Sequence, residues 1–120
     1  MRAVAVVKDL FFVARIKETA RMVGTPLVFA RTPEDLKSKL TEPTDLVILD
    51  LTTNGWDYEA FFAALERVRP PVAVLGYTTH ALARATGPLH GRCTRVVTKE
   101  TLTHLAEWNK YWLGNQEQDD

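Results

Sequence analysis

The chain has the size and composition of one globular domain, with 120 residues of which 46% are apolar and 25% charged. Its 15 basic and 15 acidic residues cancel, which argues against a protein held on nucleic acid mainly by phosphate contacts. A single cysteine, Cys93, excludes an internal disulfide. The apolar run at the amino terminus is too short to span a membrane, so we expect a cytoplasmic protein with neither nucleic-acid nor membrane partners.

Two kinds of apolar pattern alternate along the chain. Five short runs rich in valine, isoleucine and leucine predict strands that are buried on both faces. After each run, apolar residues recur at helical spacing, which predicts five helices. The predicted strands are residues 3–7, 27–29, 46–49, 72–75 and 95–97, and the predicted helices begin near Leu10, Thr32, Asp57, His80 and Lys99.

Local signals mark several helix ends. Gly24 predicts the carboxyl cap of the first helix, and Thr32 predicts the amino cap of the second. Gly87-Pro88 predicts the end of a short fourth helix that starts at His80. The last helix is predicted over 99–113, ahead of a polar tail at 114–120.

The alternation predicts the α/β fold class. Parallel strands joined by right-handed crossovers, with helices on both faces, form a doubly wound (βα)5 three-layer sandwich over residues 1–113. The flavodoxin-like strand order 2-1-3-4-5 is the common arrangement at this size. This order brings the carboxyl ends of the first and third strands side by side, where Asp9 and Asp50 would converge.

Two segments resemble a known family. Val-Val-Lys-Asp at residues 6–9 and Asp-Leu-Val-Ile-Leu-Asp-Leu at residues 45–51 are similar to strands one and three of the CheY-like receiver domain of two-component response regulators. The resemblance covers residues 3–113. In that family the aspartate that ends strand three accepts a phosphoryl group from a histidine kinase, with Mg²⁺ beside it. The resemblance therefore implies a phosphoacceptor position at Asp50, and Mg²⁺ on Asp9 and Asp50 if the site is active.

Three positions depart from the family pattern. The family carries two acids after strand one, whereas here Lys8 replaces the first and Asp9 keeps the second. The hydroxyl residue of strand four falls on Gly76, with Thr78 close behind, and the lysine after strand five falls one residue late, at Lys99. The resemblance thus implies an atypical receiver, or pseudo-receiver, with Lys8, Asp9, Gly76, Thr78 and Lys99 around the phosphoacceptor position.

The orientation of Lys8 leaves two arrangements open. If it points inward, its ammonium pairs with Asp9 or Asp50, lowers the pKa of that carboxyl and repels a divalent cation. If it points to solvent, the pocket stays open to Mg²⁺. For Lys8, a structural ion pair with Asp9 or Asp50 is favoured over a catalytic role.

Aromatic residues predict an interface at the end of the chain. Trp108, Tyr111 and Trp112 crowd the last predicted helix, and Arg95 would lie on the neighbouring strand. Trp, Tyr and Arg are enriched at interface hot spots, and the receiver family dimerises or docks partners through its fourth helix, fifth strand and fifth helix. We therefore expect a kinase, an adaptor, an output protein or a second copy of the chain to bind here.

The sequence favours a stand-alone atypical receiver that signals by protein–protein interaction, is not an enzyme and lacks robust phosphotransfer. The alternative is a working receiver of a phosphorelay, phosphorylated on Asp50 with Mg²⁺ as its only cofactor. A third class, a flavodoxin-like enzyme or ligand binder, is disfavoured because residues 8–12 are bulky where a dinucleotide site needs glycines.

Overall fold

In the computed structural model, which describes residues 2–103, a five-stranded parallel sheet carries helices on both faces. The strands are β1 (Ala3–Val6), β2 (Leu27–Ala30), β3 (Leu46–Asp50), β4 (Ala73–Thr78) and β5 (Arg95–Thr98). The helices are α1 (Leu10–Val23), α2 (Pro33–Lys39), α3 (Tyr58–Glu66), α4 (Gly87–His90) and α5 (Lys99–Leu102). The sheet order is β2-β1-β3-β4-β5, which confirms the predicted fold class and strand order.

The central strands are buried on both faces, as their uninterrupted apolar sequences predict. Every residue of β1 and of β3 is buried, because helices cover the sheet on each side. One core layer lies between the sheet and α1 and α5, and includes Phe12, Ile16, Ile48, Tyr77 and Leu102. The second lies between the sheet and α2 and α3, and includes Leu36, Val47, Leu49, Phe61 and Phe62.

Asp9 and Gly24 cap the two ends of α1. The carboxylate of Asp9 accepts hydrogen bonds from the backbone N–H groups of Phe11 and Phe12, as an amino-terminal cap. Gly24 ends the helix with φ of 72°, in the left-handed region that glycine adopts without steric cost. The predicted carboxyl cap is confirmed, and the helix fixes Asp9 at the end of β1.

Two predicted elements were wrong in position. Residues 80–86 form turns, and Gly87-Pro88 begins α4 instead of ending a helix, because proline fits the first turn, where its missing N–H is not needed. Strand β4 was predicted to end at residue 75 but continues to Thr78. Its pairing with β5 extends to Thr78 opposite Thr98, so tertiary pairing draws the Gly-Tyr-Thr segment into the sheet.

Several predictions concern residues outside the described part of the chain. They concern the aromatic residues Trp108, Tyr111 and Trp112, residues 104–113 of the predicted last helix, and the tail 114–120. Among the helices of residues 2–103, none has the length and hydropathy needed to cross a membrane.

Candidate functional site

The site lies where β1 and β3 end side by side. These strands pair in parallel, with Val6 opposite Leu49, so the segments that leave them emerge at the same edge of the sheet. Asp50 is the last residue of β3, and Asp9 follows β1 as the cap of α1. In doubly wound sheets this edge is where ligands bind.

Asp50 is almost fully buried, and its own loop supplies its hydrogen bonds. The residue is 4% exposed. Its Oδ1 accepts from the N–H of Thr52 at 2.7 Å and from the Thr52 hydroxyl at 2.6 Å. Its Oδ2 accepts from the hydroxyl of Thr53 at 2.9 Å. Because a buried carboxylate must be compensated by donors, these three bonds offset part of the cost of burying Asp50.

Tyr58, the first residue of α3, hydrogen-bonds to the loop that follows Asp50. Its hydroxyl donates to the carbonyl oxygen of Asp50 at 2.7 Å and accepts from the N–H of Thr53 at 3.1 Å. Burial, with a smaller effect from the negative charge of Asp50, raises the pKa of Tyr58 to about 12. The phenol is therefore neutral at physiological pH and holds the backbone on both sides of the loop.

Asp9 pairs with Lys99. The Lys99 ammonium donates to Oδ2 of Asp9 at 3.2 Å and lies 4.6 Å from the ring centroid of Phe12. The bond from Lys99, together with the N–H groups of Phe11 and Phe12, lowers the pKa of the Asp9 carboxyl. The structure thus brings together two of the predicted pocket residues from opposite ends of the sequence.

Lys8 does not join this pair. Its side chain is exposed and, within residues 2–103, forms no ion pair with Asp9 or Asp50. Its backbone carbonyl oxygen accepts a hydrogen bond from Arg31, which follows β2. Of the two arrangements that the sequence left open for Lys8, the structure has the exposed one, and the ammonium beside Asp9 is that of Lys99.

Gly76 faces the opposite side of the sheet from the acids. A Cβ added there would lie 2.8 Å from Sγ of Cys93 and 3.0 Å from Cδ1 of Leu51. Both neighbours belong to the core layer on the α2 and α3 side. Burial raises the pKa of the Cys93 thiol to about 11, so this thiol is protonated. Gly76 therefore supplies close packing, and a larger residue has no room there.

Thr78 makes its side-chain contact with Thr86, which precedes α4. It is buried, and its hydroxyl lies 3.0 Å from the Thr86 hydroxyl, which in turn lies 2.9 Å from Nε2 of His90. These contacts tie the end of β4 to α4. The structure shows no hydrogen bond from Thr78 to Asp50, so the predicted pocket role of Thr78 is not supported by its position.

Tyr77, like Thr52, Thr53 and Tyr58, is a residue at this site that the sequence did not predict. It pairs with Asp50 across β3 and β4 and is 1% exposed. Its buried hydroxyl makes no hydrogen bond of standard geometry within residues 2–103, but it lies close enough to the Asp50 carboxylate to interact with it. Burial raises the pKa of Tyr77, followed by the charge of Asp50, the side-chain interaction with Asp50 and the charge of Asp9. The high strand propensity of Tyr and Thr in Gly-Tyr-Thr was the signal that β4 extends this far.

The acids as arranged do not fit a Mg²⁺ site. Mg²⁺ requires near-octahedral oxygen ligands and usually keeps several waters. Asp50 is 4% exposed with its oxygens bonded to Thr52 and Thr53, and Asp9 is bonded to Lys99. Within residues 2–103, no group of three or more His, Cys, Asp or Glu side chains is placed to hold a metal.

Arg95, the remaining predicted interface residue, is the exposed first residue of β5. Trp108, Tyr111 and Trp112, which were predicted to join it at an interface, lie outside the described residues, and the role of Arg95 at an interface stays a prediction.

Comparison with known proteins identifies the architecture. A scan of protein-family models and a search of curated proteins gave no match. Among solved structures, the receiver domain of a sensor histidine kinase from Pseudomonas aeruginosa superposes with a TM-score of 0.73 at 14% identity, over 94% of this chain and 97% of that one. The chain has the receiver fold.

Other structures share this receiver fold without sharing much sequence. An uncharacterized protein from Neptuniibacter caesariensis superposes with a TM-score of 0.72 at 18% identity, covering 98% of this chain and 92% of that one. An adenylate cyclase structure from Rhodopirellula baltica gives 0.65 at 11% identity, covering 98% and 95%. The Pseudomonas receiver was solved with a magnesium ion coordinated in its active-site cleft. At these identities the likeness establishes the fold.

Proposed function

We propose that this chain is a receiver-like signalling domain that works through protein contacts, without robust phosphotransfer. One observation carries the proposal. The carboxylate of Asp50, which ends β3 where the phosphoacceptor of the receiver family stands, is 4% exposed and accepts three hydrogen bonds from Thr52 and Thr53.

Phosphoryl transfer to a carboxylate needs a free oxygen and a cation that neutralises the developing charge. At Asp50 both oxygens are engaged by the loop. At Asp9 the neighbouring cation is the ammonium of Lys99, at 3.2 Å. A phosphorylated state would require the loop bonds to break and the ion pair to rearrange, and both changes oppose the reaction.

Exposed apolar residues beside the site support a contact function. Leu10 and Phe11 follow Asp9 directly and are 69% and 89% exposed. Adjacent large apolar side chains in water are typical of binding surfaces. A protein that binds there would lie next to the acids, and the predicted interface at Trp108, Tyr111 and Trp112 would offer a second surface.

The first experiment is a titration with Mg²⁺ and beryllofluoride, a phosphoryl mimic, followed by amide chemical shifts. We expect no saturable shift near Asp9, Asp50 or the end of β4 at millimolar Mg²⁺. Asp50→Asn is the matched control. Saturable shifts that are lost in Asp50→Asn would refute the proposal and support the alternative, a working receiver phosphorylated on Asp50.

The second experiment measures self-association by light scattering. We expect Phe11→Ala or the pair Trp108→Ala and Trp112→Ala to reduce association while the far-ultraviolet circular dichroism is kept. Met22→Ala is the control, since Met22 is also an exposed apolar residue of α1 and lies at its other end. Identical scattering for every variant would refute the predicted homodimer. The cytoplasmic location and the lack of enzymatic activity also stay predictions.

A further inference from the structure

We propose that Tyr77 is the residue that closes the Asp50 pocket and so determines that a phosphoryl-sized anion is not admitted. This inference rests on the proposed function and explains how the fold enforces it. Tyr77 acts here as a specificity-determining residue, through the space that its ring occupies beside the carboxylate.

Strand register puts the ring in this place. Tyr77 and Asp50 are direct partners in the parallel pairing of β4 with β3. Paired residues of neighbouring strands point to the same face of the sheet and lie about 5 Å apart. A tyrosine at this position therefore stands next to the carboxylate, and the two side chains are 1% and 4% exposed.

The hydroxyl of Tyr77 supports the assignment. It is buried and makes no hydrogen bond of standard geometry within residues 2–103, yet it lies close enough to the Asp50 carboxylate to interact with it. Burial raises the pKa of Tyr77 most, and the Asp50 carboxylate adds to this by its charge and as a side-chain partner, with a further contribution from the charge of Asp9. The hydroxyl and the Asp50 carboxylate therefore share the space that a ligand of Asp50 would need.

Tyr77, Phe12 and Lys99 contact one another in a row along the pocket. Its ring packs on Phe12 with centroids 4.9 Å apart. The Lys99 ammonium lies 4.6 Å from the ring centroid of Phe12 and pairs with the carboxylate of Asp9 at 3.2 Å. The sequence of contacts from Tyr77 through Phe12 and Lys99 to Asp9 runs from one acid to the other. A ligand entering at Asp50 from this side would have to displace a ring that packing holds in place.

The test repeats the Mg²⁺ and beryllofluoride titration on substituted chains. Tyr77→Ala opens the space fully, and Tyr77→Leu opens it partly and serves if the alanine chain does not fold. Tyr77→Phe removes only the hydroxyl. Leu75→Ala is the matched control, because Leu75 is a buried residue of the same strand and the same core layer, two positions before Tyr77.

We expect Tyr77→Ala and Tyr77→Leu to gain saturable binding, about tenfold tighter or more than the unsubstituted chain, which corresponds to about 1.4 kcal/mol. The gain should vanish when Asp50→Asn is added. Tyr77→Phe and Leu75→Ala should behave like the unsubstituted chain, because the ring remains in the first and the pocket is unchanged in the second.

The results separate the two proposals. If neither Tyr77→Ala nor Tyr77→Leu binds, the role of Tyr77 is refuted while the proposed function stands. If the unsubstituted chain binds as tightly as Tyr77→Ala, both are refuted. An equal gain in Leu75→Ala would mean that general loosening opens the site, and an equal gain in Tyr77→Phe would mean that the ring does not close it, so either result also refutes the role of Tyr77.

Discussion

Gly76 offers a quantitative test of how β4 is packed. In Gly76→Ala, the new methyl group would lie 2.8 Å from Sγ of Cys93 and 3.0 Å from Cδ1 of Leu51. Overpacking of a buried site costs about 1–3 kcal/mol, whereas replacing glycine by alanine at a compatible position recovers about 0.4–1 kcal/mol by restricting the unfolded chain. We therefore expect Gly76→Ala to lower the free energy of unfolding by about 1 kcal/mol.

The second half of the test relieves the close contact. Cys93→Ala removes the nearest atom, and in the double variant the methyl group at position 76 occupies part of the space that Sγ leaves. Gly76→Ala should then be neutral or stabilising, which gives a coupling energy of about 1–2 kcal/mol, within the range for residues in contact.

The assay is urea unfolding of the four chains, where 1 kcal/mol moves the midpoint by about 0.5 M for a domain with a urea slope near 2 kcal/mol/M. The reasoning is refuted if Gly76→Ala has the same cost with Cys93 and with alanine at position 93. It is also refuted if Gly76→Ala stabilises the unsubstituted chain.

Three further predictions follow from single contacts. The pKa of Asp9 is lowered, so its pair with Lys99 stabilises the fold above the unfolded pKa and this contribution is lost as the pH falls through the lower folded pKa. Lys99→Gln should raise the Asp9 pKa in a carbon-13 carboxyl titration, and an unchanged pKa would contradict this. Tyr58→Phe should lower the free energy of unfolding by about 1–3 kcal/mol, because the loop N–H and carbonyl groups lose their partner, and equal urea midpoints would exclude that. Thr32→Ala should cost about 1 kcal/mol through loss of the amino cap of α2, with Thr32→Ser as the control that keeps it.

The architecture could be read from the sequence because it depends on local patterns. Uninterrupted apolar runs such as Val47–Leu49 predict strands covered on both faces, and glycine at position 24 predicts a left-handed helix end. Alternation of such strands with helices leaves few chain topologies, since parallel crossovers are almost always right-handed. The strand order 2-1-3-4-5 was predicted as the common arrangement for such a chain, and both this order and the pairing of β1 with β3 are confirmed.

The contacts at the site could not be read in the same way, because they depend on distances between residues remote in the sequence. Lys8 was considered as an ion-pair partner of the acids and Lys99 as a further pocket residue, and only the packed chain shows that Lys99, 90 positions from Asp9, makes the ion pair. The fourth strand was predicted to end at residue 75, but pairing with β3 and β5 extends it through Tyr77.

The sequence by itself thus determined the elements, their order and the edge of the sheet where the acids lie, since hydrophobic periodicity and capping act over a few residues. Only the tertiary structure decided which side chains fill that edge. Strand register sets each side chain on one face or the other, and a shift of one residue reverses the choice. That register puts Tyr77 beside Asp50 and turns Gly76 toward Cys93.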